Sequence, residues 1–163
     1  MISHRSSLVG NHLAQVMKSL IEIAEYNNRL KGPALALENR YRYYDLPLPD
    51  ELEQMLAIMG GNIFGFQYDI GHATALDALD LVDHQEWLTR FGSRIIGVHI
   101  HDVDELDDHQ APGMGKVDFR AIAPYLPENC VKTLEISPNA SLEQIAAGLE
   151  VLKNAGIITR LKN

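Results

Sequence analysis

The chain has 163 residues, of which 46% are hydrophobic and 22% charged, enough to bury one ordinary core and too few for two comfortable domains. Its net charge is −8 and its 14 basic residues are scattered without a stripe, so nucleic acid is not an expected partner. Every apolar run is broken by Glu, Lys or Gly, which excludes a membrane span. No apolar segment follows Met1-Ile2-Ser3-His4-Arg5 as in a secretory leader, and the lone Cys130 rules out an internal disulfide framework. A cytoplasmic location is therefore expected.

Apolar spacing alternates between two periods along the chain. Leu13, Val16, Met17, Leu20, Ile21 and Ala24 recur at helical intervals within residues 12–26. Gly32-Pro33 breaks that helix, and Ala34 to Leu37 reads as a short buried strand ending at Glu38. Asp50 with Glu53 predicts a capping box, opening a helix that runs to Met59 and stops at Gly60-Gly61. Ile63 to Tyr68 is a second apolar run, ending at Asp69. Asp83 with Glu86 opens a helix carrying Trp87, Leu88 and Phe91 toward the core and ending near Gly92.

The third strand, Ile95 to Val98, ends in His99-Ile100-His101-Asp102. Asp104 to Lys116 is polar and predicts a loop, followed by a helix from about Asp118. Val131 to Ile136 is the fourth strand. Ser141 with Gln144 opens a last helix that places Leu142, Ile145, Leu149 and Leu152 on one face. Short apolar strands alternating with amphipathic helices predict an α/β fold with a parallel sheet, one domain over residues 1–163.

Each predicted strand ends in a side chain able to bind metal: Glu38, Asp69, His99 and Glu135, separated by 31, 30 and 36 residues. In a parallel barrel, the C-terminal strand ends converge on one mouth. Three carboxylates and an imidazole there would repel one another without a cation between them. The mixed oxygen and nitrogen donors suit Mn, Zn, Co or Mg without choosing among them. An acid after a strand is also a common helix N-cap, a competing role for each acid taken singly. His101, two residues beyond His99, faces the same side of the strand. It either reaches the mouth or hydrogen-bonds a ligand, as Asp102 is also expected to do. Lys132 and Arg94 are expected to be solvated at the opposite end, and His4, His12 and His84 to lie on the surface. Trp87 belongs with the core.

Five segments in order resemble one family: Leu35 to Asn39, Asp69-Ile70-Gly71-His72-Ala73, Val98 to Asp102, Asp107-Asp108-His109 with Pro112 to Phe119, and Leu134-Glu135. Together they resemble the xylose-isomerase-like superfamily of (β/α)₈ barrels, which includes sugar-phosphate isomerases and epimerases and an AP-endonuclease branch. The resemblance implies that this chain is the second half of such a barrel, a (βα)₄ unit supplying strands five to eight. It implies that Glu38, Asp69, His99 and Glu135 hold a divalent metal ion. His72 then matches a histidine that contacts substrate or a further metal, and Asp107 and His109 match a pair that binds additional zinc in the endonuclease branch. Gly113 and Gly115 would let the loop approach a ligand closely.

The implied activity is isomerisation or epimerisation of a sugar or sugar phosphate through a cis-enediolate, with Glu38 and Glu135 moving the proton and His72 holding a substrate hydroxyl. Two other activities fit the same residues: metal-dependent phosphodiester cleavage of the AP-endonuclease kind, and a non-catalytic metal-binding half-barrel module. Half a barrel leaves two sheet edges open, so a homo-oligomer or a complementary first-half chain is the expected partner.

Overall fold

A computed structural model of the chain describes residues 2–58 and 63–158. The expected helix stop at Gly60-Gly61 lies outside them. Four strands form one parallel sheet in the order β1 (Leu35–Glu38), β2 (Phe64–Asp69), β3 (Ile95–Ile100) and β6 (Val131–Leu134). The helices are α1 (Ile2–Leu30), α2 (Pro49–Leu56), α3 (Ile70–Ala78), α4 (His84–Phe91), α5 (Phe119–Ile122) and α6 (Leu142–Ala155). Among the described residues, no helix is long and apolar enough to cross a membrane.

The pleat sorts the strand residues onto two faces. On one, Phe66 and Tyr68 of β2 meet α4: Phe66 packs on Trp87 and Phe91 with ring centroids 5.9 and 5.8 Å apart. Trp87, Phe66, Tyr68, Val98 and Ile100 are all buried there. The other face carries mainly small or polar residues, with Ile96 and Val131 as apolar exceptions, and stays open at its margins, where Ala36, Val131 and Thr133 are exposed. The residues at the strand ends are staggered. Glu38 pairs with Gln67, two residues short of Asp69, whereas Asp69 pairs with His99; His99 in turn pairs with Thr133, two short of Glu135. A stagger of this kind is what tilted strands in a barrel require, and it levels the four side chains at the carboxyl end of the sheet.

Several sequence expectations are corrected. Helix α2 begins at Pro49, because proline at the first helical position lacks only an N–H that would go unused. Glu51 reaches back to the Leu48 N–H at 2.7 Å, while Asp50 and Glu53 instead pair with Arg90 of α4 at 2.9 and 2.8 Å. Helix α3 was not anticipated. Residues 104–116 are not all loop: β4 (Asp102–Asp104) and β5 (Asp107–Gln110) make an antiparallel hairpin. Leu142 is exposed at the start of α6, although Ser141 and Gln144 form the predicted capping box. Arg94 is half-buried and donates to the Phe64 carbonyl at 2.7 Å, and Lys132 is likewise half-buried, its amine on the Glu128 carbonyl at 3.2 Å. His12 is exposed as expected, and the His4 side chain lies outside the described residues.

His84 is not a surface residue. Tyr68, whose phenol is pushed well above its usual range by burial and then by the charges of Asp69 and Asp77, donates its proton to His84 Nε2. His84 Nδ1 faces Thr74 Oγ1 at 3.2 Å, and Thr74 donates onward to the Ile70 carbonyl at 2.8 Å. Burial holds the imidazole below its ordinary pKa against the opposing charges of Asp77 and Asp83. The folded chain therefore binds this proton less readily than the unfolded chain, and it loses stability as pH falls below the unfolded value. His84→Gln is expected to show a smaller drop in Tm than the wild type between about pH 7 and about pH 5. Equal drops in the two proteins would exclude His84 as a source of acid sensitivity.

Candidate metal centre

The four strand-end residues meet. Glu38, Asp69, His99 and Glu135 each place one donor atom within 4.8 Å of all the others, and no other such group occurs among the described residues. His99 Nδ1 stands 3.1 Å from Glu38 Oε1, 3.5 Å from Asp69 Oδ2 and 2.7 Å from Glu135 Oε2. A ring nitrogen offers at most one proton, so it cannot satisfy three carboxylates. Asp69 Oδ2 and Glu135 Oε2 are buried and accept no hydrogen bond, the latter although His99 Nδ1 stands 2.7 Å away. Two orphaned anionic oxygens and a ring nitrogen facing one point fit a divalent cation, whose charge would offset their repulsion. Exposure rises across the cluster from 0% for the Asp69 side chain to 43% for Glu135, so it opens to solvent on one side.

Local sequence explains how Asp69 is aimed. It ends β2 and caps α3, its Oδ1 accepting the His72 backbone N–H at 2.8 Å, so the N-cap role occupies one oxygen and leaves Oδ2 available to a cation. The Asn39 side chain bridges the Asp69 backbone both ways, accepting from its N–H at 2.8 Å and donating to its carbonyl at 2.9 Å. Asn39 thereby ties the end of β1 to the end of β2, a role that sequence inspection missed. Burial raises the Asp69 carboxyl, but the hydrogen bond from His101, the neighbouring His72 ring and the His72 backbone N–H together hold it below its usual value.

The neighbouring residues divide. His72 lies beside the cluster with Nδ1 3.5 Å from Asp69 Oδ2 and 3.0 Å from the Asn39 carbonyl. His101 is wholly buried, its Nε2 3.0 Å from Asp69 Oδ1. Asp107 stays outside: its Oδ2 accepts from Gln110 at 2.7 Å. His109 pairs through Nδ1 with Asp108 Oδ1 at 2.9 Å and stands 3.7 Å from Glu135 Oε1. Burial lowers the His109 imidazole, but the Asp108 hydrogen bond and charge, followed by Glu135 and Asp69, bring it above its ordinary value.

Asp102, expected to support a ligand, does something else. Its buried carboxylate accepts three backbone N–H groups, from Val103 at 2.9 Å, Gly113 at 2.7 Å and Val117 at 3.0 Å. The glycines serve this clamp. Gly113 adopts φ +91°, and a Cβ on Gly115 would collide with the Val103 carbonyl and the Asp102 carboxylate.

A parallel α/β sheet with this cluster at its carboxyl end has the architecture of a partial (β/α)₈ barrel. The chain belongs to the xylose isomerase-like TIM barrel family, whose model matches residues 3–155. Among solved structures it is similar to the apo form of 3-keto-D-glucoside 4-epimerase, YcjR, from E. coli, with a TM-score of 0.66 at 17% identity. That match covers 87% of this chain and 53% of the epimerase, so the chain spans about half the length of that structure. No curated protein matches the sequence.

Proposed function

We propose that the chain is the second half of a divalent-metal-dependent sugar or sugar-phosphate isomerase or epimerase, with Glu38, Asp69, His99 and Glu135 as metal ligands. The observation that carries this reading is the convergence of three carboxylates on the single nitrogen of His99. When bound, a divalent ion supplies Lewis-acid polarisation of a sugar carbonyl and its neighbouring hydroxyl. Glu38 and Glu135 come from the two outer strands, β1 and β6, and flank His99 from either side. That placement suits a two-group proton transfer through a cis-enediolate: one glutamate, as carboxylate, takes the proton from one carbon, and the other, carrying a proton of its own, gives it to the neighbouring carbon. His72, beside Asp69, is placed to orient a substrate hydroxyl. The phosphodiesterase reading is weaker, since it needs Asp107 and His109 to share an ion and Asp107 is engaged by Gln110 instead.

Elemental analysis of the purified chain is expected to find stoichiometric Mn, Zn, Co or Mg. Stripping the metal should lower Tm. Adding it back at ~100-fold above its Kd should restore about 2.7 kcal/mol. A chain indifferent to chelator and metal would refute the metal centre. Stoichiometric metal without turnover across sugars and sugar phosphates would favour the non-catalytic module.

We further infer that residues 1–163 act as one domain whose sheet is completed by another half-barrel. The outer edges of β1 and β6 have no strand partner among the described residues, and Val131 on β6 is 67% exposed. Such edges and apolar surface favour a further set of parallel strands. A native mass of two chains would identify a second copy as the occupant. A monomer would point to a first half supplied by a longer polypeptide of which these residues are part, or by a separate chain.

A further inference from the structure

We propose that His101 is a positioning residue. Held in one tautomer by the backbone of the β4–β5 hairpin, it occupies Asp69 Oδ1 so that Oδ2 alone is presented to the metal. The inference rests on the metal reading above.

A backbone N–H is always a donor, and the N–H of His109 points at His101 Nδ1 from 2.9 Å. Nδ1 must therefore be the unprotonated, accepting nitrogen, which puts the ring proton on Nε2, 3.0 Å from Asp69 Oδ1. Asp69 Oδ1 then accepts two N–H groups, those of His101 and of the His72 backbone, while Oδ2 accepts none. Both nitrogens of His101 are thus committed, and the ring cannot itself be a ligand without breaking one of these bonds.

The surroundings leave the ring little freedom. Asp69 and His101 are both 0% exposed. Gly71 lies against the imidazole so closely that a Cβ there would stand inside it. The His109 ring stacks on it at 4.4 Å between centroids and 12° between planes. His109 adopts φ +58°, a left-handed conformation unusual for a residue with a side chain. That turn aims its N–H at His101, and its carbonyl accepts the Ser137 N–H at 2.7 Å, two residues beyond Glu135. One residue of the hairpin thus links the settings of Asp69 and Glu135.

The test compares wild type with His101→Leu, which removes the donor, and His101→Gln, whose amide N–H can replace Nε2–H. Apo protein is titrated with Co²⁺, following the visible bands for affinity and ligand geometry, with Tm measured on the same samples. His101→Leu is expected to bind Co²⁺ ~10–100-fold more weakly with an altered spectrum, and His101→Gln to recover most of the affinity. In ¹⁵N-labelled wild type, the ring spectrum should show His101 protonated on Nε2 and bare on Nδ1. This readout stands even if the leucine variant does not fold. Wild-type affinity in His101→Leu, or equal losses in both variants, would overturn the proposal, as would a proton on Nδ1. Wild-type chain that takes up no Co²⁺ overturns the metal centre itself and this inference with it.

Discussion

Glu135→Gln is expected to lower kcat on the true sugar substrate by ~10²–10⁴-fold, the usual contribution of a positioned proton-transfer group. The amide keeps the size of the side chain and a carbonyl oxygen able to contact a cation, but it cannot take up a proton. Glu135 is the most exposed of the four proposed ligands, 43% against 0% for Asp69, so its replacement should leave the fold intact. Exchange of deuterium from solvent into the carbon next to the sugar carbonyl should disappear along with turnover. Activity within a few-fold of wild type, with exchange retained, would remove Glu135 from proton transfer and confine it to metal binding.

Asp102→Ala should produce a large loss of stability although the residue lies outside the cluster. The wild-type carboxylate is 1% exposed and holds three backbone donors that span residues 103–117. Alanine leaves those N–H groups without partners in a half-buried loop, at about 1–3 kcal/mol for each donor that water cannot reach. A total of about 3–5 kcal/mol corresponds to a fall in Tm of roughly 6–20 °C for a chain of this size. Asp102→Asn keeps one acceptor oxygen and should fall between the two. Thermal unfolding followed by circular dichroism measures both. A loss in Asp102→Ala below about 1 kcal/mol would show that water replaces the carboxylate and that the clamp is not structural.

The parallel sheet and the four residues that converge at its carboxyl end were readable because their signals are local. Apolar runs of strand length ended at Glu38, Asp69, His99 and Glu135, and Ser141 with Gln144 announced the start of α6. Helix α3 escaped because it is buried nearly all round: Ile70, Gly71, His72, Ala73, Ala75 and Leu76 are all inside, so no polar stripe marks its period. Its only strong start signal, Asp69, serves equally well as a candidate metal donor at the end of a strand. The hairpin escaped for the opposite reason. Asp107-Asp108-His109-Gln110 lacks the β-branched and aromatic residues that usually mark strands.

Residue types and strand-end spacing were enough to specify the fold class and the donor set, because both depend on neighbours within one βα unit. Tertiary structure decided how each donor is used. That Asp69 can cap α3 and still offer an oxygen to a cation follows from its two oxygens having different settings, Oδ1 on the His72 N–H and Oδ2 without a hydrogen-bond partner. Whether His101 or Asp102 supports the cluster turned on contacts with His109, Gly113 and Val117, residues 8, 11 and 15 positions away. Hydrogen bonds across such separations are set by how the loops pack over the sheet, and no periodicity in the chain encodes them.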